Sequence, residues 1–305
     1  MKAIELLKEW NRLQNGWGIK LAYKVIIKSR IKKDITYKHE AIISYLEHKY
    51  NFLLKKYKTI NQPIEDLSPN CPIWICWYQG ETNMPPIVKA CINTIKKYAN
   101  EHPIYIITSD NIATYIQLPK HILRKVENKQ ISLTHFSDII RNNLLAQCGG
   151  IWLDATIYLT DKLQGWNKPF YSLKQNNPDD YTYVTEYKWT GFCMGGSKGN
   201  IINTFVSEFF NEYHKRESDL LDYFLIDYII AVGYRNIPSI KKLIDDIPPS
   251  NPSLYYLLQN LNQAYKPKEF ERIKQNTHIF KITWKLKDKE YSVDSYYQKI
   301  INNVI

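Results

Sequence analysis

Apolar residues recur at three- and four-residue intervals between Ile131 and Cys148. Leu133, Phe136, Ile140 and Leu144 predict one apolar face on a helix. Gly149-Gly150 reads as the stop, since glycine takes the positive φ with which many helices end. Ile151-Trp152-Leu153 then reads as a buried strand, with Asp154 at its carboxyl end, the edge at which open α/β sheets bind ligands. Upstream, the continuous apolar run Ile73 to Tyr78 predicts a buried parallel strand that ends in Gln79-Gly80. A helix follows from Pro86, near its first turn, to about Ala99. Ile104 to Ile107 is a second strand, closed by Thr108-Ser109-Asp110-Asn111. Two strand–loop–helix units in succession predict a Rossmann-like sheet. Short helices are expected over 112–116 and 119–126.

Downstream the pattern is less regular. Tyr181 to Val184 and Thr190 to Met194 read as strands, and Gly195-Gly196-Ser197-Lys198-Gly199 as a loop that either lines an acceptor site or only turns the chain. Helices are expected over 201–214, 220–232 and 240–247, and an alternating strand over 277–285. No internal repeat is visible.

Residues 1–60 form a basic helical extension and 61–71 a linker containing Pro63 and Pro69. A larger α/β domain then fills 72–305. Within the extension, basic residues from Lys20 to Lys33 surround Leu21, Ala22, Val25 and Ile26. That face either packs or dips into an anionic leaflet. Ile42, Ile43, Leu46, Tyr50, Leu53, Leu54 and Tyr57 keep helical spacing and are expected to pack on the main domain.

Composition narrows the class. Aromatics reach 14 % and the chain has only 11 glycines in 305 residues, as in a folded rather than a disordered chain. Lys and Arg total 41 against 30 Asp and Glu, a net charge of +11 that favours anionic partners such as nucleotides or acidic lipid. Five cysteines without C-x-x-C spacing suggest neither a disulfide framework nor a zinc site, and make the cytosol the default compartment. No apolar run reaches the ~18 residues of a membrane span. Basic residues interleaved with aromatics in a nucleic-acid-binding motif are absent, so nucleic acid is not an expected partner. A sugar nucleotidyltransferase would carry a Gly-rich basic loop after the first strand, which Gln79-Gly80-Glu81 does not supply.

Ser137-Asp138-Ile139-Ile140-Arg141 followed by Gly149-Gly150-Ile151-Trp152-Leu153-Asp154-Ala155-Thr156 resembles the capsular polysaccharide synthesis family. That family is related to the retaining sugar transferases with the pattern S-D-x-x-R, then G-G-x-Y-x-D-x-D. The resemblance spans roughly residues 72 to 285. It implies an α/β fold of the GT-A (Rossmann-like nucleotide-diphospho-sugar transferase) type. It also implies transfer of a hexose, from a nucleotide-sugar donor such as a UDP-sugar, to a capsular or surface polysaccharide repeat unit, with retention of configuration. The acceptor would be a lipid-linked or free oligosaccharide, and the place of work the cytoplasm at the inner face of the membrane.

On this resemblance the donor site comprises Trp77, Gln79, Gly80, Thr108, Asp138, Arg141, Trp152, Asp154, Thr156, Lys281 and Lys285. Arg141 suits phosphate oxygens and Asp138 sugar hydroxyls. Asp154 is a catalytic candidate that either reads hydroxyls or holds a divalent cation, Mn²⁺ or Mg²⁺. Thr156 stands where the wider pattern has a second carboxylate, and a hydroxyl is a far weaker metal ligand. His278 is a further metal candidate with a structural role as its alternative. Asp227 interrupts an otherwise apolar helix and is the second catalytic candidate. Asp222, in the same segment, accompanies it.

Overall fold

The structure, a computed structural model, describes residues 2–60, 65–177, 179–286 and 291–305. Residues 61–64 of the expected linker, Pro63 included, lie outside the described residues.

Among the described residues seven strands form two sheets: β1 (Ile73–Cys76), β2 (Ile104–Ile107), β3 (Gly150–Leu153), β4 (Ile157–Leu159), β5 (Phe170–Ser172), β6 (Cys193–Gly196) and β7 (Ile279–Lys281). The larger sheet has the order β2-β1-β3-β6-β5. β1 runs parallel to both β2 and β3, whereas β6 is antiparallel to β3 and β5. β3 is therefore the middle strand, and whatever follows it leaves from the centre of the sheet. β4 continues from β3 through a turn and pairs antiparallel with β7, Ile157 opposite Lys281. The parallel strands joined by helices make this the α/β core expected from the sequence.

Strand alternation divides the interior in two. Ile73, Ile75, Ile151 and Leu153 face one core, closed by helix Pro86–Tyr98. Trp74 and Trp152 face the other, closed by helices Leu133–Cys148 and Ile201–Arg216. Both faces of the short strands are thus covered, which is why they read as unbroken apolar runs.

Helix Leu133–Cys148 starts at Ser132, whose side chain accepts from the His135 amide, and ends at Gly149 with φ 70°. Phe136, Ile140 and Leu144 are buried as their spacing predicts, but Leu133, in the first turn, is 42 % exposed. The downstream strands differ from expectation. Tyr181 to Val184 forms turns rather than a strand, and β6 lies two to three residues later than Thr190 to Met194. β6 takes in Gly195 and Gly196, so these two residues pack inside the sheet and the expected loop starts only at Ser197. The helix expected over 220–232 is Leu225–Asn236, leaving Asp222, Tyr223 and Phe224 before its start. Only Ile279–Lys281 of the expected tail strand pairs.

The first sixty residues pack into the same interior. Leu21, Ala22, Val25 and Ile26 are buried, so this face meets protein and not a leaflet. Ile42, Leu46, Tyr50, Leu53 and Tyr57 are buried too, in a helix that breaks at Tyr50 into Thr36–Lys49 and Asn51–Lys58.

Candidate active site

β3 delivers Asp154 to the carboxyl edge of the sheet, where its amide donates to the Phe192 carbonyl at 2.9 Å. A cleft of about 290 Å³ opens there. Its floor is a chain of charges. Arg141, one helical turn from Asp138, donates through Nη1 to Asp138 Oδ1 at 3.1 Å and through Nη2 to Asp154 Oδ1 at 3.1 Å. Trp152 Nε1 donates to the same Asp154 oxygen at 2.8 Å, and the guanidinium lies 5.0 Å from the Trp152 ring. Lys281 reaches in from β7, donating to Asp154 Oδ2 at 2.9 Å and to Thr156 Oγ1 at 2.6 Å, with the Phe192 ring 5.0 Å away. Burial alone would raise the Asp154 carboxyl, but Lys281 and Arg141 outweigh it and hold it below the ordinary carboxylate value. The side chain nevertheless keeps 26 % exposure, so a ligand in the cleft can reach it.

The other walls come from three segments. Trp77 and Gln79 follow β1, and Trp284 follows β7. The Trp77 and Trp284 rings meet edge-to-face, with centroids 5.6 Å apart at 81°. Tyr223, Phe224 and Asp227 come from the start of helix Leu225–Asn236. Asp227 accepts from Trp189 Nε1 at 2.9 Å. Burial, with the negative charges of Asp138 and Asp222, pushes its carboxyl up to about 7 despite that hydrogen bond and Arg141.

The fold thus gathers Trp77, Gln79, Asp138, Arg141, Trp152, Asp154, Thr156, Asp227 and Lys281 in or against one cleft. It does not bring in the rest. Thr108 caps the turn after β2: its hydroxyl accepts from the Asp110 amide and its amide donates to Asn111. Gly80 makes the turn after Trp77 at φ 90°. Lys285 is exposed and outside the cleft. His278 acts through its backbone, the amide donating to Asn251 Oδ1 at 2.8 Å and the carbonyl accepting from the Thr160 amide. Asp222 pairs with Lys38 at 2.7 Å and caps the Phe224 amide.

Sequence reasoning missed Trp284, Tyr223, Phe192 and Gly191. A Cβ on Gly191 would stand 2.9 Å from Arg141 Nη1, so glycine leaves room for the guanidinium. An aromatic next to a charged residue, Tyr223 after Asp222 and Trp284 before Lys285, was the available signal for these two.

A divalent cation does not fit these residues as they stand. Both Asp154 oxygens already face cationic or N–H donors, and the Thr156 hydroxyl is taken by the Lys281 ammonium. Among the described residues, no three His, Cys, Asp or Glu side chains cluster to hold a metal. Among the same residues, no helix is long and apolar enough to cross a membrane.

An open sheet with a charged, aromatic-walled cleft at the carboxyl edge of its middle strand defines a ligand-binding α/β protein. The chain belongs to the capsular polysaccharide synthesis protein family, whose model matches residues 22–300. It is 27 % identical over 107 residues to the O-glycosyltransferase braB of Annulohypoxylon truncatum, a match that covers 32 % of this chain and a quarter (25 %) of that protein. Among solved structures it is similar to the PaToxG glycosyltransferase, with 14 % identity, TM-score 0.40, and 79 % of this chain and 96 % of that one covered. It is also similar to the apo structure of the bifunctional glycosyltransferase WbbM, with 11 % identity, TM-score 0.41, and 90 % and 59 % covered.

Proposed function

We propose that this chain is a glycosyltransferase that moves a hexose from a nucleotide-sugar donor to a saccharide acceptor in capsular polysaccharide synthesis. The observation that carries the reading is the Asp138–Arg141–Asp154–Lys281 floor at the end of the middle strand, in a cleft also lined by Trp77 and Asp227. Sugar transfer must neutralise the charge that grows on the departing diphosphate, and Arg141 and Lys281 supply two cations beside one another. The exposed Trp284 ring, set edge-to-face against the buried Trp77, offers a surface for a base the size of uracil, which favours a UDP-sugar. Asp138 and Asp154 accept from donor-sugar hydroxyls.

Asp227, which also lines the cleft and is poised near neutrality, orients the acceptor hydroxyl and takes its proton. No carboxylate stands apart as an evident nucleophile, so we read the reaction as front-face displacement with retention. The acceptor is a lipid-linked oligosaccharide at the inner face of the membrane. An exposed stripe supports peripheral contact there: Ile19, Tyr23 and Ile31 lie bare beside Lys20, Lys24 and Lys32.

The test is to incubate the purified chain with UDP-glucose, UDP-galactose, UDP-N-acetylglucosamine and GDP-mannose and to follow release of the nucleoside diphosphate. Release from at least one donor, lost in Asp154→Asn and in Arg141→Ala, is expected. If no donor binds or turns over, the reading fails.

A further inference from the structure

Lys281 stands between the two side chain positions that the wider two-carboxylate pattern would offer to a cation. Its ammonium spans Asp154 Oδ2 at 2.9 Å and Thr156 Oγ1 at 2.6 Å, the first and third side chains of Asp154-Ala155-Thr156. It is delivered there by the backbone rather than by a flexible tail. Ile157 of β4 is in register with Lys281 of β7, the Lys281 amide donates to the Leu254 carbonyl, and the Ile282 amide donates to the Thr156 carbonyl. The ammonium lies 5.0 Å from the centre of the Phe192 ring, and the side chain is only 18 % exposed. A cation fixed on both sides and shielded from water interacts with a nearby anion far more strongly than a surface lysine does. A divalent ion entering the same position would meet that ammonium and would find one carboxylate instead of two. Like charges at such a separation repel strongly at low dielectric.

We propose that Lys281 is the resident cation of this site: its ammonium takes the position and the work of a divalent metal. The chain would then bind and use a nucleoside-diphosphate donor without metal. Thr156 follows from the same arrangement, because a hydroxyl accepts one hydrogen bond from the ammonium without adding a second negative charge that would call for a second cation. Lys281 is therefore a catalytic residue in contact with the departing diphosphate, with Arg141 beside it. This inference rests on the glycosyltransferase reading above.

The experiment is calorimetric titration of the whole chain with UDP and with GDP, each in EDTA and in Mn²⁺, together with Mn²⁺ electron paramagnetic resonance. Wild type is expected to bind one of these nucleotides with the same affinity in both buffers and to leave Mn²⁺ free in solution. Lys281→Met, which keeps the stem and drops the charge, is expected to weaken binding about tenfold or more, and Lys281→Arg to recover part of it. The double variant Lys281→Ala with Thr156→Asp rebuilds a pair of carboxylates. It is expected to bind Mn²⁺ and to need it for nucleotide binding, a gain that a merely structural lysine would not produce. Nucleotide binding by wild type only in Mn²⁺, or unchanged binding in Lys281→Met with circular dichroism intact, would overturn the assignment while leaving the glycosyltransferase reading in place. Absence of nucleotide binding in every buffer would overturn both.

Discussion

Asp154 is held by three donors on two oxygens, so its charge and its hydrogen-bonding capacity are separable by mutation. Asn keeps the shape but presents an amide to one of the cations. Asp154→Asn is expected to lower donor turnover by roughly 10²–10³, the scale of losing one electrostatic contact in a catalytic site. The far-ultraviolet spectrum should be unchanged, and a variant that turns over donor like wild type would remove Asp154 from the chemistry. Asp227 gives a pH signature. Its carboxyl moves from an ordinary 3.8 to about 7, so the folded chain keeps a proton that the unfolded chain releases in between. The contribution to stability is complete below 3.8 and is lost as pH rises to about 7. Asp227→Asn, which cannot ionise, should therefore gain melting temperature over wild type at pH 8 and gain little at pH 4. Equal shifts at the two pH values, read by scanning fluorimetry, would contradict the burial argument. Of these two residues only Asp154 was legible as a site residue from its motif. Asp227 was legible as an anomaly, a charge inside Leu225 to Val232, but its bond from Trp189 joins residues 38 apart in sequence and leaves no local pattern.

Secondary elements were legible where both faces or one face are apolar at a regular period. β1, β2, β3 and the helices at 86–98, 133–148 and 201–216 follow their patterns. β6 did not, because Gly195 and Gly196 carry no side chains from which to read alternation. Their glycines answer to neighbours: a Cβ on Gly196 would stand 2.6 Å from Asn203 Oδ1, and one on Gly195 3.1 Å from the Gly150 carbonyl. β3 imposes the same demand more severely. Gly150 has φ 113°, and a Cβ there would lie 2.4 Å from the Pro72 carbonyl oxygen, on backbone that cannot swing away. Gly150→Ala combines a strained backbone with a clash, and is expected to cost about 3 kcal/mol or more in urea unfolding. A loss of under about 1 kcal/mol would mean that β1 and β3 can shift apart freely. The helical run Ile19–Lys32 shows a different case, an element whose apolar face had two possible partners, protein or leaflet, and took the first. The Leu21, Val25 and Ile26 side turned inward, and the side bearing Lys20, Tyr23, Lys24 and Ile31 faces out. Lys20→Glu with Lys24→Glu is expected to abolish co-sedimentation with phosphatidylglycerol vesicles, where wild type binds and phosphatidylcholine vesicles do not recruit it. Equal recruitment of wild type and variant would show that this stripe is not the contact.

On the scale of the whole molecule, the open question is whether residues 1–60 are an appendage or part of the body that holds the site. Their composition reads as an extension, since basic residues and a Pro-containing stretch separate them from the first strand. The contacts they make reach the cleft wall. Arg12 donates to the carbonyls of Leu220 and Leu221, Lys38 pairs with Asp222, and His39 Nδ1 lies 2.8 Å from the Tyr228 hydroxyl. These three ties grip the segment that carries Tyr223 and Asp227 into the site. Beneath them, Leu46 is fully buried in the core shared with helix Leu225–Asn236. The burial of Leu46 was legible from its helical spacing, but the ties were not, because each joins residues far apart and a lone Arg or Lys does not announce its partner. Leu46→Ala, a substitution more than a hundred residues from Asp154 along the chain, should cost about 2–5 kcal/mol. If the extension and the site are one cooperative unit, urea unfolding of this variant will shift as a single transition. Far-ultraviolet circular dichroism and release of bound nucleotide would then move together. An appendage behaves differently: circular dichroism would show an early partial loss near residues 1–60 while nucleotide stayed bound to its wild-type midpoint. The coincidence of those two curves decides between the two descriptions, and the ties at Leu220, Asp222 and Tyr228 predict that they coincide.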